Sequence, residues 1–415
     1  MNIPKLRFKE FTDEWKIKKL DKSTYIKARV GWKNLKASEY VSSGIPMIAG
    51  QHIKQGKILW DKVDFITNER YDESPEIQLK NNDIIFSKDG SLGNPAIIKN
   101  LPKKATINGT MMLIRLNYVN DNVSPNYFYQ ICNSQYFQRM VSLIKSGGTV
   151  PHIFQRDIIN FTFPIPKTLE EQEKIANFLT TVDKKIENLE NTITSLENQK
   201  KGLLQQIFSQ KLRFKDKNGN NYPNWEKKKL GDVSDITKLA GFEFTEYVTY
   251  QNHGNIIALR GLNIKNNKLD LSDVKYIDNS DFNKLSRSKL YINDLLFTYV
   301  GTIGEVALIN QNNKYYLAPN VCRIRPHECI NAMYLLCLFN SNIIRKEINI
   351  YLTKSSQPAL SMENIRKFKI LVPCLEEQTK IANFLSAFDR KLENQKAQLE
   401  HWQQIKKGLL QQMFV

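Results

Sequence analysis

Polar and basic residues gather in three short stretches of this sequence, and each stretch has a counterpart further along. Gln51, His52 and Lys54 stand against Leu262, Asn263 and Lys265, with Arg260 just ahead of the second set. Ser87, Lys88 and Ser91 of SKDGS stand against Thr298, Tyr299 and Thr302 of TYVGT. Lys145 and Thr149 stand against Lys354, Ser355 and Gln357. Lys and Arg hold phosphates, while Asn, Gln, Ser and Arg read base edges, so these types offer nucleic-acid recognition. Taken singly, each reads first as a solvated loop residue.

No bond-making signature stands beside them. GQHIKQGK (50–57) has one residue too many between its glycines and Ile58 after its lysine, which does not fit a phosphate-cradling loop. GTIG (301–304) is too short for a dinucleotide fingerprint and returns as GSLG (90–93), the mark of a structural turn. His52, His152, His253, His327 and His401 make no H-x-x-x-H pair, and the five cysteines make no C-x-x-C pair. Neither a metal nor a cofactor is expected in this chain.

A chain of 415 residues, 41% of them hydrophobic, is expected to fold around at least two cores. Sixty Lys plus Arg against 42 Asp plus Glu give a net charge of +18, which favours polyanionic partners. No apolar run approaches the roughly 20 residues of a spanning helix, and MNIPKLRFKEF lacks the apolar stretch of a signal peptide. With scattered cysteines, a reducing, cytoplasmic location and no membrane partner are expected.

The elements that must position the loops announce themselves by repetition. LEEQEKIANFL (169–179) returns as LEEQTKIANFL (375–385), KKGLLQQIF (200–208) as KKGLLQQMF (406–414), and KLRF (5–8) at 211–214, all offset by 206 residues. NDIIFSKDGSLG (82–93) is echoed more loosely by NDLLFTYVGTIG (293–304). The order is effectively circular, since the chain ends where the first copy runs on into KLRF.

Within the repeated segments, seam residues alternate by four and three: Ile175, Leu179, Val182, Ile186, Leu189, Ile193, Leu196, Lys200 and Leu203, then Ile381, Leu385, Phe388, Leu392, Gln395, Leu399, Trp402, Lys406 and Leu409, apolar except at Lys200, Gln395 and Lys406. That spacing predicts two long helices with heptad seams, each the obvious partner of the other in an intramolecular coiled coil. Periodicity leaves their relative direction open. Phe178, Leu204, Phe384 and Leu410 lie off the seam and either brace the neighbouring domain or face a partner subunit. The helices are close to neutral, so the positive charge belongs to the remaining sequence. There, short β-rich runs alternate with Gly/Asn/Asp turns and helical patterns near 125–144 and 331–350, which reads as mixed α/β. The expected division is a first globular domain (1–166), a central helix (167–209), a second globular domain (210–373) and a distal helix (374–415).

Two unlike domains alternating with two near-identical helices, together with the LEEQxKIANFL, KKGLLQQ and NDIIFS/NDLLFT motifs, resemble the specificity subunits of type I restriction-modification systems. The resemblance spans essentially the whole chain. It implies a fold of two α/β target recognition domains joined by an antiparallel coiled coil with a pseudo-two-fold repeat. It implies a non-catalytic chain in which each domain reads one half of a bipartite site in double-stranded DNA and the helices set the spacing. The implied partners are two modification (methyltransferase) subunits, which use S-adenosylmethionine, and restriction subunits, which use ATP and Mg. Two rivals stay open: a self-contained DNA-modifying or DNA-cleaving enzyme, for which a motif is lacking, and a protein-binding coiled-coil adaptor, which leaves the basic domains unexplained.

Overall fold

The structure, a computed structural model, describes residues 4–20, 24–29, 35–116, 122–146, 151–352 and 358–414. The chain forms two compact units: one comprises Met1–Glu190 with Ala397–Val415, the other Asn191–Lys396. Each is described by itself. No helix among the described residues is long and apolar enough to cross a membrane.

In the first unit a four-stranded antiparallel sheet runs in the order Tyr25–Ala28, Met111–Arg115, Ile84–Ser87, Gly93–Ile97. Strand Ile84–Ser87 is buried along its whole length. Because successive side chains point to opposite faces, Ile84 and Phe86 enter one core while Ile85 enters another. The first core holds helix Pro125–Asn133 and the ends of the long helices; the second is covered by a three-stranded sheet ordered Asp64–Ile66, Ile45–Ile48, Thr106–Ile107. One sheet thus divides the unit into a helical half and a β half.

The second unit repeats this plan. Its sheet runs Ser234–Lys238, Val321–Pro326, Leu295–Thr298, Val306–Leu308, and its three-stranded sheet Lys275–Tyr276, Ile257–Leu259, Tyr315–Leu317. Leu295 and Phe297 face the helical core and Leu296 the β core. Each helical pattern of the globular sequence resolves into two helices, Pro125–Asn133 with Gln135–Ser146 and Ala332–Phe339 with Asn342–Tyr351. A serine makes each break: Ser134 Oγ accepts from Tyr136 N–H and Ser341 Oγ from Ile343 N–H, capping the second helix.

The repeated motifs form a clasp between helix and domain. The long helices span Leu169–Phe208 and Leu375–Met413. Buried Glu171 accepts from Arg7 Nε at 2.7 Å and Trp15 Nε1 at 3.0 Å; buried Glu377 accepts from Arg213 Nη2 at 2.7 Å and Trp225 Nε1 at 2.9 Å. Gln172 takes the Ser124 N–H and donates to the carbonyls of Asn122 and Pro166, and Gln378 does the same for Asn331, Cys329 and Pro373. These bonds are why LEEQ and KLRF travel together. Thr168 Oγ1 caps the Glu171 N–H at 3.3 Å; the Glu171 carboxylate is committed to Arg7 and Trp15 instead of closing a capping box.

Each unit contains stretches of both long helices, and within each they run antiparallel. In the first, Asp183 pairs with Lys406 at 2.6 Å and Ile175 and Leu179 share a core with Met413 and Phe414; in the second, Lys200 pairs with Asp389 and Ile207 and Phe208 share a core with Ile381 and Leu385. Val182, Leu189, Ile193, Leu196 and Leu392 are buried, whereas Ile186, Leu203, Phe388, Leu399, Trp402 and Leu409 are half-buried. The seam residues nearest the helix ends therefore also complete the domain cores. The circular order has a physical counterpart: Leu212 N–H caps the Gln206 carbonyl at 3.1 Å, and Leu6 N–H caps the Gln412 carbonyl at 2.9 Å.

Candidate nucleic-acid interface

The loop face of each unit is built on a 3-10 turn (Gly50–His52, Gly261–Asn263) leading into a tight hairpin (Ile53–Lys54 with Lys57–Ile58, Ile264–Lys265 with Lys268–Leu269). The turn is closed from inside. His52 Nδ1 accepts from Ala49 N–H at 3.0 Å, and Asn263 Oδ1 accepts from Arg260 N–H at 3.0 Å while its amide donates to the carbonyls of Asp270 and Asp273. His52 and Asn263 are buried, with His52 Nδ1 and the Asn263 amide engaged in the turn and His52 Nε2 lying 3.2 Å from Gln51 Nε2. Ser87 is buried with its Oγ toward Met111 Sδ, and buried Thr298 accepts from Glu305 N–H at 3.0 Å. Tyr299 is likewise buried, its ring in the helical core with Lys238 over it.

Six further candidates lie at the surface. Gln51, Lys54, Ser91, Lys145, Lys265 and Thr302 are exposed; Lys265 Nζ bonds Asp270, whose carboxyl is held far below the usual range by the Ser272 hydroxyl and by Lys265. Thr149, Lys354, Ser355 and Gln357 lie outside the described residues. Hairpin lysines Lys57 and Lys268 pair with Glu187 and Glu393 of the long helices, tying each hairpin to helix within its own unit.

At one place the two units share a backbone and differ in chemistry. The chain after strand Leu295–Thr298, with the Pro319–Asn320 turn, encloses a cavity of about 390 Å³ in the second unit, lined by Tyr250, Arg260, Thr298, Thr302 and Asn320 among others. Arg260 Nη2 is held by the Asp273 carbonyl at 2.8 Å and carboxylate at 3.0 Å, and among the described residues its buried Nε has no partner. A guanidinium fixed at one corner with a donor unspent suits recognition of an acceptor edge. In the first unit the corresponding loop carries charge: Asp89 pairs with Lys88 at 2.7 Å and with His152, and Lys88 keeps only 12% side-chain exposure. The backbone bonds match, Lys88 N–H to Thr110 and Ile153 N–H to Lys88 mirroring Tyr299 N–H to Asn320 and Leu360 N–H to Tyr299. Tyr250 and Asn320 went unseen in the sequence; Pro319–Asn320, with Asn320 at φ +71°, had a readable turn signature but no signal of what it lines.

The off-seam residues brace their own units. Phe178 meets Phe8 edge-on at 5.9 Å and Phe384 meets Phe214 at 5.5 Å, the same KLRF-to-IANFL contact made twice. Leu204 packs on the second unit's helical core and Leu410 on the first's. Among the described residues, no group of three or more His, Cys, Asp or Glu side chains is arranged to hold a metal ion.

Comparison with known proteins gives a consistent result. A family model described as the type I restriction modification DNA specificity domain matches residues 13–198 and again 222–401. The chain is 25% identical over 411 residues to the type I restriction enzyme MjaVIII specificity subunit of Methanocaldococcus jannaschii, covering 96% of this chain and 91% of that one. It is 23% identical over 384 residues to the EcoKI specificity subunit of Escherichia coli strain K12, covering 88% and 80%. The crystal structure of a type I restriction-modification S subunit from M. genitalium superposes with a TM-score of 0.61 at 16% identity, covering 100% of this chain and 99% of that one.

Proposed function

The chain belongs to the type I restriction-modification DNA specificity family, and we infer that it is the DNA-reading subunit of such a system, each unit reading its own half of a bipartite site. The observation that carries this reading is the contrast inside the repeat. Clasp, sheets and hairpin are common to both units, whereas the loop face holds the Arg260 cavity in one and the Lys88, Asp89 and His152 cluster in the other. Two different readers on one framework suit a site with two unlike halves. The net charge of +18 supports phosphate binding, which supplies affinity without sequence information.

In this reading the long helices set the gap between half-sites and offer surfaces to two modification subunits. Methyl transfer from S-adenosylmethionine and ATP- and Mg-dependent restriction belong to partner subunits, and the chain itself contributes positioning. The test is an adenine methylation map of cells carrying this chain with its cognate modification subunit. The expected result is methylation at a motif of two unlike halves with a fixed gap. A contiguous site, or a pattern that does not change when this chain is exchanged, refutes the reading.

A further inference from the structure

We propose that Phe154, present in the first unit only, is an aromatic wedge that enters a base step of one DNA half-site while Arg156 contacts a neighbouring phosphate; the proposal rests on the DNA-reading role above. A lone exposed phenylalanine means little, and the case here is positional. Phe154 occupies the N-cap of the short helix Gln155–Ile159, a position that favours Ser, Thr, Asp or Asn. In the second unit the equivalent residue is Ser361, and its Oγ accepts from Asn364 N–H at 3.0 Å. Phe154 makes no such side-chain bond; the helix start is secured only by the Asp157 carboxylate, which accepts the Phe154 N–H at 2.8 Å, and the first unit presents there a phenyl ring with 47% exposure.

That ring is held, not loose. His152 packs against it with centroids 4.4 Å apart, and the Arg156 guanidinium lies over it at 4.8 Å. His152 is anchored by Asp89, which Lys88 neutralises, and Ile153 N–H is bonded to the Lys88 carbonyl at 3.0 Å. The ring therefore stands on the loop where the two units diverge. Its ordering cost is met before binding, and the Arg156 cation beside it, 76% exposed and only loosely paired with Asp157 at 4.0 Å, suits the polyanion. Apolar side chains that part base steps beside a cation on the backbone are an established way for proteins to deform a duplex. The proposal predicts that the first unit distorts its half-site at a step where the second unit leaves its own stacked.

The test uses the full chain in complex with its modification subunits and a duplex carrying the methylation-mapped site, with 2-aminopurine placed at each position in turn. Target adenines drawn from the stack by methyltransferase subunits brighten the probe in both halves; the wedge adds a further bright step in one half. Phe154→Ala should remove that added signal and weaken binding about ten-fold or more, the scale of an aromatic stacked on a base. Phe154→Trp should restore both. An added signal that survives Phe154→Ala, or that disappears equally from both halves, overturns the wedge. Failure of the wild-type complex to bind or methylate the mapped site would instead remove the DNA-reading role itself.

Discussion

Replacing Glu377 by alanine should destabilise the second unit and leave the first intact. The Glu377 side chain is fully buried and accepts from Arg213 Nε at 3.1 Å, Arg213 Nη2 at 2.7 Å and Trp225 Nε1 at 2.9 Å. Removing it strands the buried indole N–H, which costs about 1–3 kcal/mol. Breaking a fully buried ion pair costs about 3–5 kcal/mol. Arg213 keeps 21% side-chain exposure and its bonds to the carbonyls of Tyr222 and Pro223, so its share falls below that range. The sum is about 3–4 kcal/mol, or a loss of amide protection of about 10²- to 10³-fold, taking 1.4 kcal/mol per factor of ten. Glu377→Gln keeps an oxygen for Trp225 and should cost about half as much, since a neutral hydrogen bond is roughly half as strong as a charge-assisted one. Hydrogen exchange read peptide by peptide measures this. Protection should fall across 191–396, and Glu171→Ala should reproduce the loss in the other unit. A change under about 1 kcal/mol, or equal losses in both units, would refute the clasp.

Other outcomes follow from the same geometry. Arg260→Ala should relax sequence preference at one position of one half-site about 10- to 150-fold, the worth of a single hydrogen bond to a charged group; methylation mapping that shows a uniform loss across the motif would make Arg260 a phosphate contact instead. Burial pushes the Cys132, Cys322 and Cys337 thiols up, the last to about 12, while Cys329 is exposed and Cys374 half-buried. Because the thiolate is the reactive form, maleimide should label Cys329 first and Cys374 more slowly at neutral pH. The other three should react only on unfolding, as mass spectrometry of the labelled peptides would show.

The helices were legible because a heptad is a statement about which face is apolar, and burial of Leu179, Leu189, Leu196 and Leu385 answers it directly. Antiparallel direction was not legible, since the same spacing serves either orientation. The loops were half legible. Residue type marks His52, Asn263, Ser87 and Thr298 as hydrogen bonders, but type does not say which partners within the fold engage them: His52 Nδ1 and Asn263 close their own turns, Ser87 faces Met111 and Thr298 holds the Glu305 N–H. Tyr250 and Phe154 carried no sequence signal of their place, and both reach the surface. The LEEQ repeat was visible at once, but its purpose depended on Arg7 and Trp15, more than 150 residues away from the glutamate that joins them.

The composition of the first unit has a consequence for synthesis. Its helical core includes Met413 and Phe414, and Leu6 bonds the carbonyl of Gln412, whereas the second unit is one unbroken stretch from Asn191 to Lys396. On a ribosome adding about 5–20 residues per second, the second unit is complete before the first, although the first begins earlier. Until residues 397–415 emerge, the surfaces of Tyr127, Ile175 and Leu179 that face Met413 and Phe414 lack their cover. A nascent chain arrested in the distal helix would thus carry a finished second reader and an adhesive, unfinished first one, and quality control would act on the part of the molecule that was made first.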